Sequence, residues 1–372
     1  MTGRAGHVAA ILVVGVIGVL IAGLLPQLLG ALALEGRLSV AALGGLATVE
    51  LLAMGIAAGA ASFILPAHRL RAIAFCALLA TGLIDLATPL CSGGGIFAAR
   101  IAAGLGEGVL VWIAIGFIVG TARPERWSGI YLALQTLVQC ALASSLGLFA
   151  ASSTVGFGTL GAVTLAGTLA LRWMPDAHAA SGGDAESGTL PHSRGLLALV
   201  GVLLYLAFIV AIWVYVEPLA LQRGVPMQTV YLIVPLSLAM QVIGAGAATV
   251  LAGRLPPRTT ILCVGGLNLG LLAAMAWAPS GLFVLASAVF GFLWLFALPF
   301  QVPLVIAADP TRRAAMLIGG AQLVGSSLGP LLASGLIADR TVTPVLLFGA
   351  ICLGAAVLAL VVSGSVRHSA DA

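Results

Sequence analysis

Four ionisable side chains, Glu50, Asp85, Arg100 and Glu107, sit inside stretches otherwise suited to lipid. A charge near a bilayer centre costs at least about 2.5–3.5 kcal/mol to insert, so each must be paired, turned to a bundle interior or used. Arg100 and Glu107 lie seven residues apart in "IFAARIAAGLGEGVLVWIAIGF", residues 96 to 117, and therefore share a helix face. That face is expected to look inward. With a rise of about 1.5 Å per residue, Glu107 falls about 16 Å and Glu50 about 13 Å below the outer ends of their stretches, near mid-membrane. Asp85 and Arg100 both lie about 6–9 Å from theirs, a depth match that predicts a pair. A carboxyl in such surroundings can take up and release a proton as its cavity opens to each side. Glu107 is the first choice for that role and Glu50 the second. The alternative is that all four are fixed pairs that only hold helices together.

Other polar groups could bind a solute. Gln27 follows Pro26 at a potential kink, Gln135 and Gln139 are one turn apart, and Tyr205, Trp213, Tyr215 and Glu217 share one stretch. "FGFLWLFALPFQVPL", 290 to 304, packs aromatics, puts Trp294 and Gln301 on one face, and sets Gln301 between Pro299 and Pro303. Rings with a few amides suit a small amphipathic organic solute. Packing against core or lipid explains the rings equally, and polar contacts between helices explain the glutamines. Glu217, just before Pro218 near an outer end, is as readily solvated.

Several chemistries are excluded or disfavoured. The sequence has no lysine, which a P-loop requires, so no ATPase motif is present. "GLGEG", 104 to 108, reads as a close helix contact and not a phosphate cradle. The five histidines are scattered over loops and termini without metal spacing, and no two cysteines form CxxC, so neither an enzyme nor a metal centre is indicated.

The elements that must position these residues are membrane spans. The 372-residue chain is 61% hydrophobic and 8% charged with mean hydropathy +1.18, far from the roughly 25% charged residues of soluble domains. Apolar runs long enough to cross as helices are read at 8–34, 41–65, 71–91, 96–121, 128–152, 155–174, 196–220, 228–252, 259–278, 281–307, 314–337 and 343–363. Barrel strands would alternate and be about half as long. The first run is too long for a signal h-region, despite "ALA" at 31–33, and is expected to stay in the chain.

Arginines set the orientation, since basic loops stay cytoplasmic. With the N-terminus inside, Arg4, Arg69, Arg71, Arg123, Arg126, Arg172, Arg194, Arg254, Arg258, Arg312, Arg313 and Arg367 are cytoplasmic, and only Arg37, Arg223 and Arg340 fall outside. Both termini are then cytoplasmic. The net charge of +4 reflects topology and implies no nucleic-acid partner.

"PDAHAASGGDAESGTLPHSR", 175 to 194, reads as a flexible cytoplasmic linker. It separates an N-terminal six-helix bundle, 1–174, from a C-terminal one, 195–372. Short echoes cross it. Pro124 and Arg126 recur as Pro310 and Arg312, Leu137-Val138 as Leu323-Val324, and "SSLG" at 144 returns at 326. Parallel six-span repeats with a site between them are a transporter architecture.

On these features the sequence resembles the major facilitator superfamily of secondary transporters. The family's fourth-helix pattern of Arg, often Gln, then Gly-x-Gly stands here as Arg100, Ala103, Gly104 and Gly106, with Ala in place of Gln. The loops "LPAHRLR", 65 to 71, and "AGRLPPR", 252 to 258, keep the family's basic residues and lack its Asp. The resemblance implies an all-α integral membrane fold of twelve transmembrane helices in two pseudo-symmetric six-helix bundles, with helices one, four, seven and ten lining a central cavity. It further implies proton-linked chemistry at Arg100, a proton gradient in place of any cofactor, and a monomer in the cytoplasmic membrane of a bacterium. The expected function is proton-coupled transport of a small organic solute by alternating access, with symport favoured because the fifth span has "SSLGLF" where drug antiporters end in Gly-Pro. Proton-coupled efflux of lipophilic compounds is the alternative, and a channel, enzyme or receptor on the same fold is a different class of answer.

Overall fold

The computed structural model describes residues 2–66, 68–119, 121, 124–148, 152–177, 191–251, 253–309, 313–337 and 341–363. Contacts divide the chain into two compact units, Met1–Ala185 and Glu186–Ala372. The first holds α1 (Gly6–Leu34), α2 (Val40–Ile64), α3 (Leu70–Ala87), α4 (Gly94–Val119), α5 (Pro124–Leu148) and α6 (Ser153–Ala166), the last continued by the 3-10 stretch Gly167–Trp173. The second holds α7 (Ser193–Gln222), α8 (Met227–Leu251), α9 (Pro257–Trp277), α10 (Ser280–Ala308), α11 (Ile318–Ser334) and α12 (Pro344–Ser363). Among the described residues the fold is an all-α membrane architecture of twelve long helices.

Among the described residues, eleven helices are long and apolar enough to cross a membrane. The exception is α11. The run expected over 314–337 breaks at Leu317 into a four-residue helix, Arg313–Met316, and the 17 residues of α11. Residues 178–190 of the expected linker lie outside the described residues. So do Arg123, Arg312, Arg340 and Arg367 from the orientation argument, and the side chains of Arg4, Arg126 and Arg313.

Local chemistry sets several boundaries. Ser39 and Ser152 cap α2 and α6 by accepting from the N–H groups of Ala42 and Val155. The first helix of each unit stops alike. Gly36 (φ 70°) and Gly224 (φ 72°) take the left-handed conformation, while Arg37 N–H and Val225 N–H reach back 3.0 Å to the carbonyls of Leu32 and Ala220. That is a Schellman closure, which glycine permits without a Cβ penalty.

The repeat extends to contacts. Gly104 packs against the backbone of Glu50, and Gly291, 187 residues on, packs against that of Ser237, also 187 residues on. Arg37 donates to the carbonyls of Pro89 and Cys91, and Arg223 donates at 2.8 Å to that of Ala278, 187 residues beyond Cys91. In each unit an arginine after the first helix thus ties down the end of the third.

One expectation is corrected. The break in α1 is at Gly18 and Val19, where Val19 has φ −121° and ψ 6°, and not at Pro26 and Gln27, which lie inside the continuous segment Leu20–Leu34. A Cβ on Gly18 would stand 2.8 Å from the Glu107 carbonyl oxygen, so the break falls where α1 presses on α4.

Candidate functional site

Three glycines bring α4 close to two neighbours. Gly104 and Gly108 pack on the α2 backbone at Glu50 and Met54, and Gly106 packs on the Thr81 side chain of α3. Any side chain there would push the helices apart, so the glycine spacing is what lets short acidic side chains meet one arginine.

Arg100 is fully buried. Its Nε donates to Glu50 Oε1 at 2.9 Å, and Nη2 also donates to that oxygen. Nη1 donates to Asp85 Oδ1 at 2.6 Å and to Thr88 Oγ1 at 3.4 Å, and Nη2 reaches Glu107 Oε1 at 3.4 Å. Five contacts match the five N–H groups of a guanidinium. The Phe157 ring of α6 covers it, 5.1 Å from ring centre to Cζ. Glu50 and Asp85 are 0% exposed and Glu107 3%.

Three carboxyl groups therefore share one cation in a buried site. Glu50 Oε2, Asp85 Oδ2 and Glu107 Oε2 are buried without a hydrogen-bond partner, as is Thr81 Oγ1. The structure brings all four predicted ionisable residues together, and the depth-matched Asp85 and Arg100 are in contact. The side chain of Arg100 spans the depth offset to Glu50, which depth arithmetic on backbones had kept apart. The shared face of Arg100 and Glu107 looks onto α2, α3 and α6 of its own unit.

The predicted solute-binding residues divide. Gln27 Nε2 donates to the Ala143 carbonyl at 3.1 Å and Gln139 Nε2 to the Val19 carbonyl at 2.7 Å, so both tie α1 to α5. Gln139 thereby satisfies a carbonyl at the α1 break. Gln135 is half-buried one turn earlier. In the second unit, Tyr205 is buried and its hydroxyl lies 3.4 Å from the Leu293 carbonyl. Trp213 and Trp294 meet edge to face at 5.6 Å between ring centres. Helix α10 continues through Pro299 and Pro303, and Gln301 is fully buried with neither amide atom partnered.

Glu217 is corrected from a residue as readily solvated. It is 4% exposed, with Oε1 buried and unpartnered. Helix α7 runs past Pro218 to Gln222, and this places Glu217 inside the span. Its nearness to the outer end of the span had left solvation open.

No family model and no curated protein sequence matches the chain. Solved structures do. A variant of the nucleoside transporter NupG superposes with TM-score 0.74 at 12% identity, covering 96% of this chain and all of that one. A bacterial homolog of the human lysosomal transporter Spinster, inward-facing and occupied, gives 0.62 at 15% identity, with 98% and 95% covered. FucP, a major facilitator superfamily transporter in its outward conformation, gives 0.59 at 14% identity, with 97% and 98% covered. The chain has the major facilitator fold.

Placed on that fold, Arg100, Gly104 and Gly106 stand on the fourth helix, where the sequence motif expects them. Among the described residues, no group of three or more His, Cys, Asp or Glu is placed to hold a metal, and no disulfide joins any of the five cysteines. The basic loop before α3 has a feature that sequence reading missed. Arg71 N–H lies 3.4 Å from Asp176 Oδ1, and its side chain donates to the Met174 carbonyl, so a residue beyond α6 meets the loop that lacks its own Asp.

Proposed function

We propose that this chain is a secondary active transporter that moves a small organic solute by alternating access and couples the movement to protons through the Arg100 cluster. It works as a monomer in the cytoplasmic membrane of a bacterium, with both termini in the cytoplasm, two bundles at 1–174 and 195–372, and no bound cofactor. The carrying observation is the charge balance: three buried carboxyl groups face one guanidinium, and each has an oxygen without a partner. Were all ionised, the site would hold a net charge of −2 away from water, which is costly. Protons on carboxyl oxygens remove that charge.

Glu107 is the residue assigned to exchange. Its contact with Arg100, at 3.4 Å, is the longest of the three ion pairs, so it can gain or lose a proton while Arg100 keeps Glu50 and Asp85. Glu50 and Asp85 then fix the guanidinium in place. A second reading, proton-coupled export of lipophilic compounds, is supported by the aromatic lining of α10, where Phe292, Phe296 and Phe300 follow one another at 5.2–5.5 Å. Symport is favoured because α5 carries Ser144, Ser145, Leu146 and Gly147 where an antiporter would carry Gly-Pro.

The test is uptake of a panel of labelled organic acids and lipophilic cations into oriented proteoliposomes with an imposed pH gradient. Wild type accumulates its solute only with the gradient. Glu107→Gln loses accumulation yet still exchanges labelled for unlabelled solute, and accumulation equal to wild type would remove Glu107 from coupling.

A further inference from the structure

The proton-linked cluster leaves one buried acid unused. Glu217 lies in α7, whose residues from Tyr205 to Ala220 are all buried. Its Oε1 has no partner, and among the described residues no arginine or histidine nitrogen pairs with it. Arg223, the next arginine along the chain, donates to the Ala278 carbonyl. An acidic group inside a membrane helix without a fixed counter-charge is a functional position by default.

Its surroundings specify a ligand class. Trp213 precedes Glu217 by one turn on the same face and meets Trp294 of α10 at 5.6 Å. A carboxyl group one turn from a tryptophan on the same helix face, with a second tryptophan packed on the first, brings together both parts of an organic-cation site. The carboxylate provides the counter-charge, and the rings contribute cation–π attraction and an apolar wall.

We propose that Glu217 anchors the positive centre of an organic cation whose apolar body lies against Trp213 and Trp294. This makes the solute of the transporter proposed above a lipophilic cation or protonated amine, and it rests on that reading for its physiological meaning. Binding itself needs no proton gradient.

The experiment is scintillation-proximity binding of radiolabelled tetraphenylphosphonium to the purified full chain at fixed pH, with melting temperature followed in parallel. Wild type binds saturably. Glu217→Gln weakens binding about tenfold or more, while Glu217→Asp stays within about threefold. Trp213→Ala weakens it by about fivefold through lost cation–π attraction, and it supplies a second test should the glutamine variant fold poorly. Equal affinity in wild type and Glu217→Gln overturns the assignment, as does absence of saturable binding to wild type. Binding is read at equilibrium without a pH gradient and coupling is read in the proteoliposome uptake above, so failure of proton coupling and failure of the cation site give separate results.

Discussion

Glu50 and Glu107 both touch Arg100, but the geometry gives them different work, and their glutamine variants should separate on heating. Glu50 Oε1 accepts from two guanidinium nitrogens, with both side chains fully buried. Removing one partner of such a pair costs about 3–5 kcal/mol, and the lower end applies because Asp85 still neutralises Arg100. Glu107 makes one contact at 3.4 Å, and glutamine keeps a carbonyl acceptor there, so its replacement costs about 1 kcal/mol or less. For a melting unit the size of the N-terminal one, each kcal/mol moves the midpoint by roughly 2–4 °C. Thermal unfolding of purified protein in detergent, followed by tryptophan fluorescence, should therefore drop by roughly 6–12 °C for Glu50→Gln and by under about 4 °C for Glu107→Gln. A Glu107→Gln drop as large as that of Glu50→Gln would make Glu107 a fixed strut and refute its assignment as the exchanging group.

Other variants probe the packing that assembles the site. Gly104→Ala puts a Cβ against the Glu50 carbonyl and should cost about 1–3 kcal/mol in the same melt; Gly291→Ala, against Ser237, should cost a similar amount. Gln139→Leu removes the bond to the Val19 carbonyl at the α1 break and should lower stability by about 0.5–1.5 kcal/mol, with an unchanged melt excluding a stabilising tie there. Arg37→Ala frees the Pro89 and Cys91 carbonyls and Ser153, and faster hydrogen exchange confined to residues 88–95 is the expected readout.

The spans and the acidic cluster were legible because a charge in a long apolar run is costly and must find company. Helical spacing alone put Arg100 and Glu107 on one face, and depth alone matched Asp85 to Arg100. The joining of Glu50 to the same guanidinium was not legible, because it depends on how far an arginine side chain reaches between parallel backbones. A proline misled once: Pro26 suggested a kink that occurs at Gly18. There packing against a neighbouring helix, which no local pattern records, decides the backbone. The glutamines were ambiguous for a related reason: Gln27 and Gln139 bind carbonyls 116 and 120 residues away, and only the fold brings these within reach.

The most direct test of proton coupling follows internal pH with a trapped dye while a transported solute enters proteoliposomes. Coupled transport predicts that wild type shifts the internal pH in step with solute flux, and that Glu107→Gln exchanges solute with no such shift. Solute flux without proton movement in wild type, or an undiminished pH shift in Glu107→Gln, would contradict it.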